Sequence, residues 1–253
     1  MTDPTRGVLF PDRLPRFTRL APVGTATELV EWFWVPQWDL PDGVEAPQPT
    51  LGYPAANLVV EAGEVGLWGA TTRASERVLR GAGWAVGAVL RPAAFAGLAP
   101  DPRALVDTHV AVDAPGLAAA VTAAMPDVAR AAAAMGAWLV EQVGPLSGEA
   151  RLANDMVRML LSDASILRLE DAASRLAVSP RTLQRIAHRS VGLPPAAIIR
   201  RRRLQEAAQR VRDEPDVRLA DIAAELGYAD QAHLAGDFRT ALGFTPSAYR
   251  GRP

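Results

Sequence analysis

The sequence predicts an α+β chain: a mostly antiparallel, barrel- or sandwich-like β-domain, then connecting helices, then an all-α domain with two helix-turn-helix units joined by a long helix. Three observations predict it. All six tryptophans (Trp32, Trp34, Trp38, Trp68, Trp84 and Trp138) precede residue 139. Charge divides the same way: residues 1–148 hold 10 Arg against 15 Asp and Glu, and residues 149–253 hold 17 against 13. Finally, short β-branched and aromatic runs give way after Pro115 to apolar residues at helical spacing. These shifts divide the chain into a β-rich part over 1–112, a helical connector over 113–148 and an all-α part over 149–253.

In the first part, Leu29–Val35 reads as a strand, with room for a short helix before it. Pro36, Pro41-Asp-Gly43 and Pro47-Gln-Pro49 read as loop punctuation. Asn57–Glu61 and Val65–Trp68 flank Gly63-Glu64 and read as a hairpin. Ser75–Arg80 alternates loosely, and Trp84–Leu90 is a buried strand ended by Arg91-Pro92, with a short helix beyond. Two Ala-rich helices are expected over Gly116–Met125 and Pro126–Val143. Gly144–Gly148 is the linker candidate, and Leu152, Met156, Met159 and Leu160 open the all-α part.

The first helix-turn-helix spans about 169–189. Ala172, Ala173 and Leu176 pack its first helix. Ser179 stands where a helix N-cap belongs and Pro180 at the first helical position, where its missing N–H is no loss. Leu183, Ile186 and Ala187 then share a buried face, which leaves Arg181, Gln184, Arg185 and His188 outward. Arg and Gln are the side chains that pair with guanine and adenine edges in the major groove. The second unit, about 219–242, repeats the frame with Ile222, Ala223 and Leu226, the cap Asp230, and the stripe Leu234, Phe238 and Leu242. Its outward candidates are Gln231, His233, Gly236 and Arg239. Between the units, Pro195–Arg212 reads as a helix of about 18 residues, roughly 27 Å. That suits two readers about one DNA turn apart. The run Arg200–Arg203 invites a phosphate-clamp reading, although four consecutive positions surround the helix and only one or two face any one partner.

The pattern Ser179-Pro-Arg-Thr-Leu-Gln-Arg185, Gly192-Leu-Pro-Pro195, Asp221-Ile-Ala-Ala224, Gly227-Tyr-Ala-Asp-Gln231 and Gly243-Phe-Thr-Pro-Ser-Ala-Tyr-Arg250 resembles the AraC/XylS family of bacterial transcription regulators. The resemblance covers about 149–252 and implies binding to double-stranded promoter DNA. It places base contacts on Arg181, Gln184 and Arg185 in the first unit, where Ser179, Thr182, His188 and Arg189 are further DNA-binding candidates. In the second it places them on Gln231, Ala232, His233 and Gly236, and Arg239 is a further candidate on the outward face. Family members commonly carry Arg where this chain has Gly236, so the first unit is expected to read and the second mainly to hold.

Residues 14–112, through Glu31–Leu40, Pro54–Glu61 and Val89–Phe95, resemble an uncharacterised domain found ahead of such readers, which implies an effector-sensing or dimerising role. Trp32, Trp34, Trp38, Trp68 and Trp84 are the candidates for an effector pocket, since ligand sites are enriched in aromatics. The alternative for each is a place in the β-domain core. His109 reads as a loop or surface residue. The helix around Trp138 either packs on the β-domain or forms a homodimer contact, and an RNA polymerase contact is compatible with the family.

Cysteine is absent, which excludes disulfides, thiolate metal sites and cysteine nucleophiles. No metal-ligand cluster, phosphate-binding glycine loop or catalytic triad pattern stands out, so neither an enzyme nor a cofactor is expected. Met1–Pro15 lacks the apolar stretch of a signal peptide and no run approaches a membrane span, so a cytoplasmic, nucleoid-associated protein is expected. The competing reading is a protein-interaction or architectural DNA-binding module with a degenerate second reader.

Overall fold

The computed structural model describes residues 16–50 and 54–250; Met1–Pro15 lie outside that range. The first part is built on a six-stranded antiparallel sheet in the order β1-β2-β7-β4-β5-β8, with β1 at Arg16–Leu20, β2 at Val30–Asp39, β4 at Asn57–Glu61, β5 at Glu64–Trp68, β7 at Ala82–Leu90 and β8 at His109–Ala111. A 3₁₀ turn over Gly24–Glu28 precedes β2. The β4–β5 hairpin turns at Ala62 and Gly63, both at positive φ (49° and 82°), as the right-handed twist of the strands requires.

Alternation sorts the faces of this sheet. Phe33 and Val35 of β2, Leu58 and Val60 of β4, Val65 and Leu67 of β5, and Val86, Ala88 and Leu90 of β7 enter one core. Three helices close that core: α1 (Pro92–Leu98), α2 (Pro115–Ala124) and α3 (Val128–Val143), through Phe95, Leu117, Val121, Met135 and Leu139. Trp138 is half-buried against the same cluster, so its helix packs on the β-domain. On the other face Trp34 stands opposite Gly87. A Cβ at Gly87 would meet the indole at 2.1 Å, so only glycine admits the ring there.

A separate two-stranded ribbon, β3 (Glu45–Thr50) with β6 (Ser75–Arg80), extends from this sheet. Arg77 of the ribbon pairs with Glu61 of β4, and Trp38 Nε1 donates to the Arg80 carbonyl at 3.2 Å. Both contacts lie on the face away from the helices, so the ribbon folds over it.

Two of the expected loop signals are therefore strand. Pro36 lies inside β2 opposite Phe17. Pro47 and Pro49 lie in β3 opposite Val78 and Glu76. The reason is positional: β3 has one partner, so only alternate residues need to donate an N–H, and prolines two apart share the parity that does not. Pro41–Gly43 does turn the chain, with Val44 N–H donating to the Pro41 carbonyl at 3.0 Å.

The helical part runs α4 (Gly148–Ser162), α5 (Leu169–Arg175), α6 (Pro180–Ser190), α7 (Pro195–Asp213), α8 (Leu219–Glu225), α9 (Gln231–Leu242) and α10 (Pro246–Arg250). It holds two further cores. Met156, Leu160, Ile166, Ala172, Leu183, Ile186 and Ile198 form the first. Leu204, Val211, Ile222, Leu234, Phe238 and Tyr249 form the second. The nineteen residues of α7 span both, about 28 Å at 1.5 Å per residue.

The β-part touches both cores. Ala70, just past β5, is buried in the first of them, and Ala74 packs on the second. Ala74 N–H donates to the Ala241 carbonyl in the last turn of α9 at 2.8 Å. Asn154 of α4 adds a polar tie, giving its amide to the Glu28 carbonyl at 2.8 Å and accepting from the Ala93 N–H at 3.0 Å. That second bond satisfies one of the free N–H groups in the first turn of α1. Among the described residues no helix is long and apolar enough to cross a membrane.

Candidate nucleic-acid interface

The two units are built by the same local chemistry. In α6 the Ser179 hydroxyl accepts the Thr182 N–H at 3.1 Å, and in α9 the Asp230 carboxylate accepts the His233 N–H at 2.7 Å. Each cap satisfies a first-turn donor that the helix itself leaves open. Ala172 and Ala173 in α5, and Ile222 and Ala223 in α8, are fully buried where the paired helices meet. Small residues allow that close approach in three of the four places. Gly243, at φ +82°, ends α9 in the left-handed conformation, as a helix C-terminus favours.

With Leu183, Ile186 and Ala187 buried, helical geometry leaves Ser179, Arg181, Gln184, Arg185 and Arg189 exposed. Thr182 is half-buried, and its hydroxyl lies 2.9 Å from that of Ser179. His188 departs from the expected outward face: it is half-buried, and its Nδ1 is enclosed. The C-terminal end of α6 turns inward there, with Ser190, Val191 and Leu193 buried beyond it. In α9, Gln231, Ala232, His233, Gly236 and Arg239 are all exposed. A Cβ at Gly236 would have nothing within 4 Å. Glycine is therefore not required there by packing.

Each arginine of the run is engaged by a neighbour within the protein. Arg200 forks onto Asp237 of α9, with bonds of 3.0 and 2.6 Å, and this pair raises the guanidinium pKa further. Arg201 is 6 % exposed and faces the β-part, donating weakly to the Thr72 and Arg73 carbonyls at 3.4 and 3.5 Å. Its burial pulls its pKa down to about 10. Arg202 is fully buried and donates to the carbonyls of Leu160, Asp163, Ala164 and Ile166. Arg203 lies 4.1 Å above the Tyr228 ring. Burial and the nearby Asp237 carboxylate push the Tyr228 hydroxyl above its ordinary pKa. Only Arg200 keeps a largely exposed side chain, and it is engaged.

Two acids escaped the sequence reading. Glu149, in the first turn of α4, binds Arg185 through two bonds of 3.0 Å. The Arg185 guanidinium holds the Glu149 carboxyl below its ordinary range. Thirty-six residues separate them, and no local spacing reveals such a pair. Asp237 was legible in principle, since it lies beside Phe238 at the edge of the buried stripe, where an acid needs a cation.

The five tryptophans do not converge on one place. Trp32, Trp34, Trp38 and Trp68 belong to the sheet face away from the helices, whereas Trp84 packs against the helix-covered core. Trp34 Nε1 donates to the Asn57 side chain at 3.0 Å, and the Arg19 guanidinium lies 4.8 Å from the Trp32 ring. Trp68 is 38 % exposed and stacks on His109, with centroids 3.8 Å apart. His109 is thus on the surface, but in the edge strand β8 and not in a loop. Among the described residues no group of three His, Cys, Asp or Glu is placed to hold a metal ion.

Comparison with known proteins agrees with the geometry of the helical part. Residues 172–252 match a helix-turn-helix domain family (HTH_18), and residues 18–111 match a domain of unknown function (DUF6597). The activator AarP of Providencia stuartii is 36 % identical over 84 residues, covering 33 % of this chain and 62 % of AarP. A Streptomyces lividans protein described as an AraC-like transcription regulator is 31 % identical over 124 residues, covering 49 % of this chain and 39 % of that protein. The chain therefore spans less than two thirds of either relative.

Among solved structures, the C-terminal domain of AraT, a response regulator from Geobacillus stearothermophilus, shares 27 % identity, with TM-score 0.37, over 42 % of this chain and 87 % of that domain. ToxT from Vibrio cholerae shares 8 %, with TM-score 0.45, over 93 % of this chain and 96 % of ToxT. Residues 172–252 are thus similar to a helix-turn-helix domain, and the relatives that share this part are described as transcription regulators.

Proposed function

We propose that the chain regulates transcription by binding promoter DNA, reading sequence with α6 and holding the duplex with α9. The observation that carries this is the outward face of α6. Arg181, Gln184, Arg185 and Arg189 stand exposed on a capped helix whose opposite side is anchored in a core. Major-groove readers need that rigid placement of bidentate donors. In this reading Ser179 and Thr182 meet backbone phosphates at the start of α6, and His188 supports the helix from its half-buried position. Gln231, His233 and Arg239 give the second, weaker contact, because Ala232 and Gly236 offer no donors.

The same proposal assigns residues 1–112 to sensing a small effector, 113–148 to connection and 149–253 to DNA. The segment from Ala70 to Ala74 supports that assignment, since it meets both helical cores. A ligand that moves the end of β5 would change how the two readers are held together. Trp32, Trp34, Trp38 and Trp68 share the face on which such a ligand would lie, and Trp84 serves the core. A homodimer and a contact with RNA polymerase are compatible with this arrangement.

The test is selection of genomic fragments by the purified full chain. One enriched motif, bound more tightly than a random duplex at the same salt concentration, supports the proposal. The absence of any enriched motif refutes it and favours an architectural module, a reading that the vacant positions at Ala232 and Gly236 already lend some weight.

A further inference from the structure

In the free protein, the residue best placed to read a guanine is already bound to something else. Both terminal nitrogens of Arg185 donate to the two carboxylate oxygens of Glu149, each at 3.0 Å. Arg189, one turn on, brings a second guanidinium to 4.0 Å of the same carboxylate. Glu149 is itself fixed: Ser147 caps α4 by accepting the Ala150 N–H at 3.1 Å, which places Glu149 in the first turn, where the helix dipole favours a negative charge. Both side chains of the pair stay partly open to solvent, 42 % for Arg185 and 49 % for Glu149. DNA can therefore reach them without unfolding anything.

We infer that Glu149 is a specificity-setting residue that holds Arg185 in reserve until a guanine replaces it. The inference rests on the proposal that α6 enters the major groove. Its chemistry is a matter of matched acceptors. A carboxylate offers the fork of Arg185 two adjacent acceptor oxygens, and guanine offers O6 and N7 in the same role. Exchange between the two keeps both hydrogen bonds. A lone phosphate oxygen, or a base edge with a single acceptor, cannot replace both and leaves Arg185 on Glu149. There the pair stays closed and neutral, so Arg185 offers the backbone no phosphate contact. Glu149 thus weakens binding at every site, and weakens it least where a guanine faces Arg185. Discrimination is gained at the expense of general affinity, because the wrong partner is denied the Arg185 cation.

The experiment uses the full chain as wild type, Glu149→Gln, Arg185→Ala and the double variant. Each is titrated at two salt concentrations with the fragment recovered by selection and with a random-sequence duplex. Gln is nearly isosteric with Glu and the site is exposed, so the fold is retained. Glu149→Gln is expected to tighten the random duplex about two- to fivefold, the scale set by an exposed ion pair. The selected fragment should tighten less, so the ratio between them falls. The salt slope on the random duplex should steepen by about 0.9, one added phosphate contact. In the Arg185→Ala background the same substitution should move neither affinity beyond about 1.5-fold, well inside that ion-pair scale.

Weaker binding of Glu149→Gln to the selected fragment would show that Glu149 is a buttress for Arg185, and would overturn the inference. So would equal tightening of both duplexes, an unchanged affinity, or a gain that persists undiminished without Arg185. A selection that recovers no motif refutes the DNA-reading proposal instead, and the random-duplex arm still reports on Glu149 by itself.

Discussion

Replacing Arg202 with Met should cost about 3–5 kcal/mol of stability, the range seen when one partner of a buried charge network is removed. The guanidinium is fully buried and donates to four carbonyls around the end of α4, those of Leu160, Asp163, Ala164 and Ile166. A helix end leaves its last carbonyls without partners and carries partial negative charge, so a cation there meets both needs. A single hydrogen bond to a charged group is worth about 1.5–3 kcal/mol, and four on one side chain are not additive. Met keeps the apolar stem, so the loss isolates the donors. An apolar swap of both members of a buried ion pair is often harmless, but here the acceptors are main-chain carbonyls, which no substitution removes. Urea unfolding of the full chain measures the change through its midpoint at constant slope. Hydrogen exchange over residues 160–169 should rise before exchange elsewhere. A loss below about 1 kcal/mol, the size of one ordinary hydrogen bond, would refute the reasoning.

Arg185→Ala should cost about 1–3 kcal/mol of specific binding and relax preference at one base pair, read by titration of single-base variants of the selected site. Gly236→Arg should fold normally, because a Cβ there meets nothing within 4 Å, and should tighten DNA binding; unchanged affinity at both low and high salt would count against a role for α9 at that position. Gly87→Ala should destabilise the β-part by about 1–3 kcal/mol through overpacking against Trp34, visible as a lower urea midpoint. Asp163 ties the acid response to the same region: the Ser165 hydroxyl and amide, then Arg175, hold its carboxyl below 3.8. The unfolded state therefore binds more protons near that pH, so this contribution is present above 3.8 and is lost as pH falls through the lower folded value. Asp163→Asn should reduce the urea midpoint at neutral pH and converge on wild type in strong acid; a constant difference at all pH values would contradict the assignment.

Local chemistry made the helical part readable. Ser179-Pro180 and Asp230 announce helix starts by what their side chains and ring do to free N–H groups. The spacing of Leu183, Ile186 and Ala187 announces a buried face. These signals lie within one or two turns of chain, and the structure follows them closely. Pro36, Pro47 and Pro49 misled because proline excludes strand only where its N–H is needed, and need depends on which neighbour sits on which side. His188 misled because the segment beyond α6 turns inward, which no helical periodicity predicts. Trp84 separated from the other tryptophans through strand parity: it shares β7 with Gly83 and Gly87 but stands on the alternate face. Glu149 opposite Arg185 is a meeting of two helices, and Arg202 at the end of α4 is another. Neither partner marks the other in sequence.

The run Arg200-Arg201-Arg202-Arg203 shows why a charge cluster is a poor guide to what it binds. Successive residues on a helix point about 100° apart, so four of them cover its circumference. Because α7 passes between the two helical cores and beneath the β-part, each direction meets a different neighbour. Arg200 meets Asp237 in α9, Arg201 the carbonyls of Thr72 and Arg73, Arg202 the end of α4, and Arg203 the ring of Tyr228. One short run thereby ties the second reader, the β-part and the first helical core to a single strut. Arginine suits the task because its planar fork satisfies several acceptors at once, which lysine does not. The consequence reaches the proposed interface: with these four engaged by neighbours within the protein, the arginines that the proposed reading gives to DNA are those of α6 and α9. There Arg181, Arg185 and Arg189 are exposed in α6 against Arg239 in α9, which is why the proposed grip is uneven.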